Sequence, residues 1–224
     1  MDVNLKSVIE KRIFRTIENL KKNSMLALYV ESKALVAQKV SELLTEGDTV
    51  AVGGSVSLIE CGVIDLLRSG KYRFLDRYEK GLSGEDNDKL HRESFFADAY
   101  ISSTNAITEN GELYNVDGNG NRVAAICYGP KSVVIIAGYN KIVKDIDEAV
   151  RRVKIIAAPA NTARLSLETY CSEKGECMSL LSSDAGMASG CFSASRICCS
   201  YVVSAYQRKK DRIKVIIVGE ELGY

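Results

Sequence analysis

The chain has 224 residues, of which 46% are hydrophobic and 26% are charged, as is ordinary for a globular domain. Thirty basic and 29 acidic side chains leave a formal net charge of +1, which argues against a nucleic-acid binder because such proteins carry a basic excess. The apolar runs are far shorter than the roughly 20 residues of a membrane span, and the first residues lack the basic-then-apolar order of a secretory signal. We therefore predict a cytosolic protein that does not enter a membrane.

The first part of the chain has helical periodicity. Apolar residues at spacings of three and four predict an amphipathic helix over the first 20 residues, and a second helix from Asn23-Ser24 to Gly47. We assign residues 1–46 to a helical arm, which packs either on the core or on a second subunit, so that a homo-oligomer is compatible with the sequence.

The next segment has the pattern of an α/β sheet. Thr49-Val50-Ala51-Val52, the glycine turn after it and the helical spacing that follows form the opening unit of such a sheet. Turn dipeptides and β-branched runs then predict strands, at residues 99–102, 112–116, 123–128 and 132–137. The predicted organisation is a single domain without a dividing linker, with a core at 47–164, a Cys-rich segment at 165–205 and a final strand within 206–224.

The glycine turn is the first candidate binding site. Backbone N–H groups in a turn such as Gly53-Gly54-Ser55 suit a phosphate or carboxylate, and the Ser55 hydroxyl adds a donor. Because any tight strand-to-helix turn favours glycine, a purely structural turn is the alternative. No motif for a nucleotide cofactor is present.

A second candidate lies between Ser102 and Arg122, where amides and hydroxyls are concentrated. Side chains of this kind beside strand ends suit a small polyhydroxylated, phosphorylated or carboxylic ligand. Asn, Asp and Gly also favour turns for backbone reasons, which is the alternative. The candidate ligand-binding residues are Ser103, Asn105, Asn115, Asn119 and Arg122.

The seven cysteines are unevenly distributed along the chain. An odd number in a cytosolic protein argues against a disulfide framework. Four of them can converge on one ion if the intervening Ser- and Gly-rich chain forms loops, and four thiolates suit zinc or an iron–sulfur cluster. The candidate ligands are Cys171, Cys177, Cys191 and Cys198, and the alternative is a set of free thiols.

Several motifs together resemble the LUD-domain (lactate-utilisation) family, and they extend over nearly the whole chain. These motifs are Gly53-Gly54-Ser55-Val56-Ser57-Leu58, Asp98 to Glu109, Asn115-Val116-Asp117-Gly118-Asn119-Gly120-Asn121-Arg122, Gly138 to Val143 and Val218 to Gly223. The cysteine cluster is similar to one in small family members, with residues 178–190 as an apparent insertion.

The resemblance implies a three-layer α/β fold similar to ribose-5-phosphate isomerases and CoA transferases. It implies a part in the oxidation of L-lactate to pyruvate, alongside iron–sulfur partner proteins. Ferredoxin-type Cys-x2-Cys-x2-Cys runs, which larger members carry, are not in this chain. The chain therefore resembles the small stand-alone members, for which catalysis does not follow from the family name.

Thr108-Glu109-Asn110-Gly111 resembles the Ser-Glu-Asn-Gly signature of CoA transferases, whose Glu is the nucleophile. An enzyme that handles acyl groups or sugar phosphates, with Glu109 or Asp117 as the catalytic carboxylate, is thus an alternative function. The structural interpretation of the same residues is a hairpin turn at Asn110-Gly111. A ligand- or metal-sensing protein without catalysis is a third possibility.

Two basic residues are candidate partners for an anionic substrate, either a carboxylate or a phosphate. Arg122 presents a planar fork that matches such groups, and Lys141 supplies a mobile point charge. The structural alternative for Arg122 is a pair with Asp117 that holds the loop.

Overall fold

A computed structural model describes residues 2–183 and 185–224. The helices are α1 (Val3–Lys22), α2 (Val36–Ser41), α3 (Val56–Glu60), α4 (Val63–Leu67), α5 (Gly84–Glu93), α6 (Asn121–Cys127), α7 (Ile146–Arg152), α8 (Ala158–Arg164) and α9 (Tyr170–Lys174). The strands are β1 (Leu26–Val30), β2 (Thr49–Val52), β3 (Arg73–Leu75), β4 (Ala99–Ser102), β5 (Ala106–Thr108), β6 (Leu113–Asp117), β7 (Ser132–Gly138), β8 (Ile142–Val143), β9 (Ser200–Ser204) and β10 (Ile213–Val218).

Six strands form the central sheet, in the order β1-β10-β7-β4-β2-β3, and every neighbouring pair is parallel. The middle strands are apolar on both faces, as expected of parallel strands that are covered on both sides. In β7, Val133 and Ile135 belong to one hydrophobic cluster, whereas Val134 and Ile136 belong to the other. The sheet therefore separates two cores.

Helices cover both faces of this sheet and complete three layers. On one face lie α1, which buries Ile13, Ile17 and Leu20, and α6, which buries Ile126. On the other face lie α2, α3 and α4. The predicted α/β class with helical layers and an N-terminal helix is confirmed. Within the described ranges, no helix combines the length and the hydrophobicity needed to cross a membrane.

A second, four-stranded sheet carries the polar segment of the chain, in the order β8-β5-β6-β9. Here β6 runs antiparallel to both β5 and β9. The last residue of β6, Asp117, pairs in register with Ser200 of β9. The polar run from Asn115 to Arg122 therefore lies beside the chain that follows the last cysteine, Cys199.

Two predicted elements differ from those observed. The second helix of the arm is confined to α2, because α1 ends at Asn23, Ser24 turns in the left-handed region (φ 61°), and the apolar run Leu26–Val30 forms edge strand β1. Residues 123–128, predicted as a strand, lie mostly in α6. This helix follows Gly120 in a left-handed conformation, and the Asp117 carboxylate accepts the Val123 N–H at 2.9 Å.

Candidate functional site

A cavity of about 310 Å³ lies at the carboxyl ends of the parallel strands. Its lining comes from the chain just after each strand: Gly54 and Ser55 after β2, Ser103 after β4, and Lys141 after β7. In open α/β sheets this edge is where ligands bind. The topology therefore brings together side chains that are far apart in sequence.

Most of the predicted ligand-binding residues line this cavity. Those that do are Gly54, Ser55, Ser103, Asn105, Asn119, Arg122 and Lys141, together with the candidate carboxylate Asp117. Gly53 and Asn115 lie just behind the lining. A Cβ at Gly53 would sit 2.5 Å from Ser102 Oγ, and Asn115 is fully buried with its Oδ1 accepting from Arg122 Nη1 at 2.7 Å.

Arg122 holds the polar loops together. Its Nε donates to Asp117 Oδ1 at 2.8 Å, and its Nη1 donates to the Ser103 carbonyl oxygen as well as to Asn115. Its Nη2 donates to Asn105 Oδ1 and to the Val116 carbonyl oxygen. Because these five acceptors engage the donors of the guanidinium, the geometry favours the loop-holding role over direct binding of an anion.

Lys141 is almost completely buried at the cavity and contacts hydroxyls. It lies in a short 3-10 turn after β7 and is 4% exposed. Its Nζ donates to Ser103 Oγ at 2.9 Å and to Ser57 Oγ at 3.2 Å, and no ion pair to it is found within the described ranges. Burial, followed by the positive charges of Arg152 and Arg122, lowers the pKa of Lys141 to about 7. The amine is thus close to its titration point at neutral pH.

Arg77 and Arg164 also line the cavity, and the sequence interpretation did not find them. Arg77 follows Asp76 in the chain, but Asp76 accepts from Arg68 Nε at 2.7 Å rather than from Arg77. Within residues 2–183 and 185–224, the Arg77 side chain has no hydrogen bond or ion pair, and it lies 5.9 Å from the centre of the Tyr78 ring. No local sequence signal marks Arg77, since only the pairing of β3 with β2 brings it to the cavity.

The described lining of the cavity carries excess positive charge. Its basic side chains are Arg77, Arg122, Lys141 and Arg164, and its one carboxylate is Asp117. Asp117 is already neutralised by Arg122, and its second oxygen accepts the Val123 N–H. The remaining basic groups therefore favour an anionic occupant.

Glu109 lies outside the cavity lining and faces helix α1. Its two carboxylate oxygens accept from Arg12 Nε at 2.6 Å and Arg15 Nε at 3.0 Å. Burial alone would raise the pKa of Glu109, but the hydrogen bonds from Arg15 and Arg12 outweigh it and lower the pKa below its usual value. Gly111 N–H donates to the Thr108 carbonyl oxygen, which closes the hairpin turn. This arrangement favours the structural interpretation over a CoA-transferase nucleophile.

The four candidate metal-ligating cysteines share a second, small cavity. Cys171, Cys177, Cys191 and Cys198 all line a volume of about 20 Å³. The structure thus brings them together from several loops, whereas the neighbouring Cys199 is exposed. Among the described residues, however, no group of three His, Cys, Asp or Glu side chains is already arranged to hold a metal ion.

Comparison with protein families identifies the class of protein. The sequence pattern of the LUD domain matches residues 13–218, which is most of the chain. No curated protein matches it. The chain belongs to the LUD-domain family, and this membership supports a role related to lactate utilisation.

Solved structures agree with this assignment at the level of the fold. The chain is similar to a DUF162 family protein from Deinococcus radiodurans, with 16% identity and a TM-score of 0.51, over 95% of this chain and 98% of that one. It also matches eIF2B delta from Chaetomium thermophilum at 18% identity and a TM-score of 0.35, over 53% of this chain and 50% of that one. Only the first match is close enough to inform the fold.

Proposed function

We propose that this chain binds a small 2-hydroxy- or 2-keto-carboxylate in the strand-end cavity, as a component of a system that oxidises L-lactate to pyruvate. The observation that carries the proposal is the pair of basic groups, Arg77 and Lys141, which line the cavity without a carboxylate partner among the described residues.

The size and the charge of the cavity support a small anion. Its volume of about 310 Å³ is near the lower end for small-molecule sites. Arg77 supplies donors that can engage a carboxylate as a fork. The hydroxyls of Ser55 and Ser103, together with the amide of Asn119, supply the neutral hydrogen-bonding groups that a hydroxyl or keto oxygen needs.

Lys141 suits the proton transfer that this oxidation requires. Conversion of a 2-hydroxy acid to a 2-keto acid removes two electrons and two protons, one proton from the hydroxyl oxygen and one from the carbon. An amine with a pKa of about 7 exists in both forms at neutral pH: the protonated form attracts the carboxylate, and the neutral form can accept the hydroxyl proton. Ser57 and Ser103, which accept from the amine, hold it in place.

Iron–sulfur partner proteins are assigned the two electrons, and water takes up the proton from the carbon. The family resemblance implies such partners, and this chain would supply the substrate site. In this arrangement the chain binds and orients the carboxylate, and the partner is the oxidant.

An acyl-transferring or sugar-phosphate enzyme is the alternative, because an excess of positive charge also suits a phosphate. Its candidate carboxylates are less favourably placed. Glu109 is paired with two arginines outside the lining, and both oxygens of Asp117 are engaged. A sensor without catalysis would use the same cavity.

Calorimetric titration of the purified protein separates these functions. We expect L-lactate or pyruvate to bind more tightly than inorganic phosphate, a sugar phosphate or a CoA ester. Arg77→Gln and Lys141→Met should each weaken that binding by about tenfold or more, equivalent to about 1.4 kcal/mol. Arg92→Gln is the matched control, because Arg92 is exposed on α5 and pairs with Asp88.

Two results would overturn the proposal. Binding of a sugar phosphate or CoA ester with no binding of either carboxylate would favour the alternative enzyme. Equal binding of pyruvate by the wild type, Arg77→Gln and Lys141→Met would place the carboxylate outside this cavity.

A further inference from the structure

The cysteine cavity is formed by chain segments from different parts of the Cys-rich segment. Cys171 is in α9, Cys177 follows that helix, Cys191 lies in the irregular chain beyond it, and Cys198 precedes β9. All four nevertheless line one cavity of about 20 Å³. The exposed cysteines, Cys127 and Cys199, are not part of it.

Two basic residues fix the backbone around this cavity. Arg196 donates from Nη1 to the Cys191 carbonyl oxygen at 3.0 Å and from Nε to the Cys198 carbonyl oxygen at 2.8 Å. Lys154, which is buried beside the cavity, donates to the Gly186 carbonyl oxygen at 2.9 Å. These bonds hold the loops that carry the cysteines, while burial raises the pKa of the Cys198 thiol to about 12 and Arg196 offsets this only in part.

The size of the cavity decides between the two ligands that four thiolates favour. Tetrahedral sulfur donors suit either zinc or an iron–sulfur cluster. A volume of about 20 Å³ is close to that of one water-sized sphere. A single ion fits this volume, whereas a cluster of four iron and four sulfide ions would require the loops to move apart.

We propose that Cys171, Cys177, Cys191 and Cys198 bind one zinc ion, which cross-links the loops of the Cys-rich segment. Binding replaces four S–H bonds with four Zn–S bonds and releases four protons. The side chains must converge, since the described residues hold no ready-made set of three ligands. None of the four cysteines lines the carboxylate cavity, although Ile197 lines both cavities, and metal content is measured independently of carboxylate binding.

Metal analysis of protein purified under reducing, oxygen-free conditions tests the proposal. We expect about one zinc per chain, retained in Cys199→Ser and Cys127→Ser and lost in Cys171→Ser and Cys198→Ser. Iron together with acid-labile sulfide would overturn the single-ion assignment. Less than roughly a tenth of an equivalent of any metal would overturn the site itself, because structural zinc binds tightly.

Cobalt titration keeps the test decisive even if a cysteine variant fails to fold. Wild-type protein stripped of metal should take up one Co²⁺ per chain, with the thiolate-to-cobalt absorption of a tetrahedral sulfur site, and zinc should displace it. Absence of that absorption in a folded apo-protein would contradict the proposal. The matched control is Cys199→Ser, which should give the same end point as the wild type.

Discussion

Lys141 Nζ lies 2.9 Å from Ser103 Oγ, and this hydrogen bond joins the turn after β7 to the loop after β4. Ser103 Oγ in turn donates to the Thr104 carbonyl oxygen at 3.3 Å, so it accepts from the amine. Lys141 contacts hydroxyls and has no carboxylate within ion-pair distance among the described residues. Its charged form therefore bears the full desolvation cost of burial. An anionic ligand would supply the missing negative charge.

The affinity for a carboxylate should depend on pH through this amine. The pKa of Lys141 is lowered to about 7 by burial, with Arg152 and Arg122 acting in the same direction and Glu60 and Cys61 opposing them. Affinity should therefore fall as pH rises through about 7, because the protonated amine attracts the anion. Calorimetry at several pH values measures this, and a profile unchanged in Lys141→Met would contradict it.

Protein stability should also depend on Lys141. The folded-state pKa, about 7, is below the usual lysine value of 10.5, so between these values the unfolded state binds more protons and stability rises with pH. The cost of the charge is present in full below pH 7, on the order of a few kcal/mol. Lys141→Met should therefore be stabilised relative to the wild type most at low pH, and urea unfolding should show that advantage shrinking toward alkaline pH. An advantage independent of pH would be inconsistent with this cause.

Replacing Arg122 should destabilise the fold. Arg122→Met leaves Asp117 Oδ1 and Asn115 Oδ1 without a donor and leaves Asn105 Oδ1 with the Val116 N–H alone. Removing one partner of a buried ion pair costs about 3–5 kcal/mol. Lysine should restore only part of this loss because it has no planar fork.

Urea unfolding measures the effect, with Arg77→Gln as the control. Arg77 has no such bonds in the described part of the chain, so its replacement should change stability by about 0.5 kcal/mol or less. If Arg122→Met instead unfolds like the wild type but loses carboxylate binding, Arg122 is a ligand and not a structural residue.

Gly111 should tolerate no side chain, because the hairpin that carries Glu109 packs directly on α1. Its φ is +85°, and a Cβ there would lie 2.6 Å from the backbone carbonyl carbon of Asn19. Gly81 has a similar φ, +90°, with nothing within 4 Å of an added Cβ. Gly81→Ala should therefore lower the free energy of unfolding only by the cost of the left-handed conformation, about 1–2 kcal/mol. Gly111→Ala should lower it by about 1–3 kcal/mol more, because the added Cβ also clashes with α1. Equal losses of stability in the two variants, measured by thermal unfolding, would show that the hairpin does not need to approach α1 this closely.

The central strands of the core could be predicted because buried parallel strands have a strong local signal. Ser132–Gly138 and Ile213–Val218 are nearly continuous apolar runs, and both form central strands. Leu26–Val30 has a similar signal, but helical spacing on both sides of it obscured the strand. Residues 123–128 have high β-propensity, yet the side-chain cap from Asp117 and the left-handed Gly120 begin a helix there.

The candidate site could be predicted only where its residues are close in sequence. The polar run from Asn115 to Arg122, rich in Asn, Asp and Gly, identified the loop that contains Asp117 and Asn119. Arg77 and Arg164 come from separate elements, and only the folded sheet and α8 bring them to the same cavity. The sequence left two roles open for Arg122, binding an anion or pairing with Asp117. Only the inward direction of its donors in the structure favours the second.

A crystal structure of the protein with oxamate, a stable analogue of pyruvate, would show where a 2-keto acid binds. We expect the carboxylate of oxamate in the strand-end cavity, within hydrogen-bonding distance of Arg77 and Lys141, with the Arg122 hydrogen bonds unchanged. Oxamate bound at any other surface, with this cavity unliganded at a saturating concentration, would overturn the proposed function.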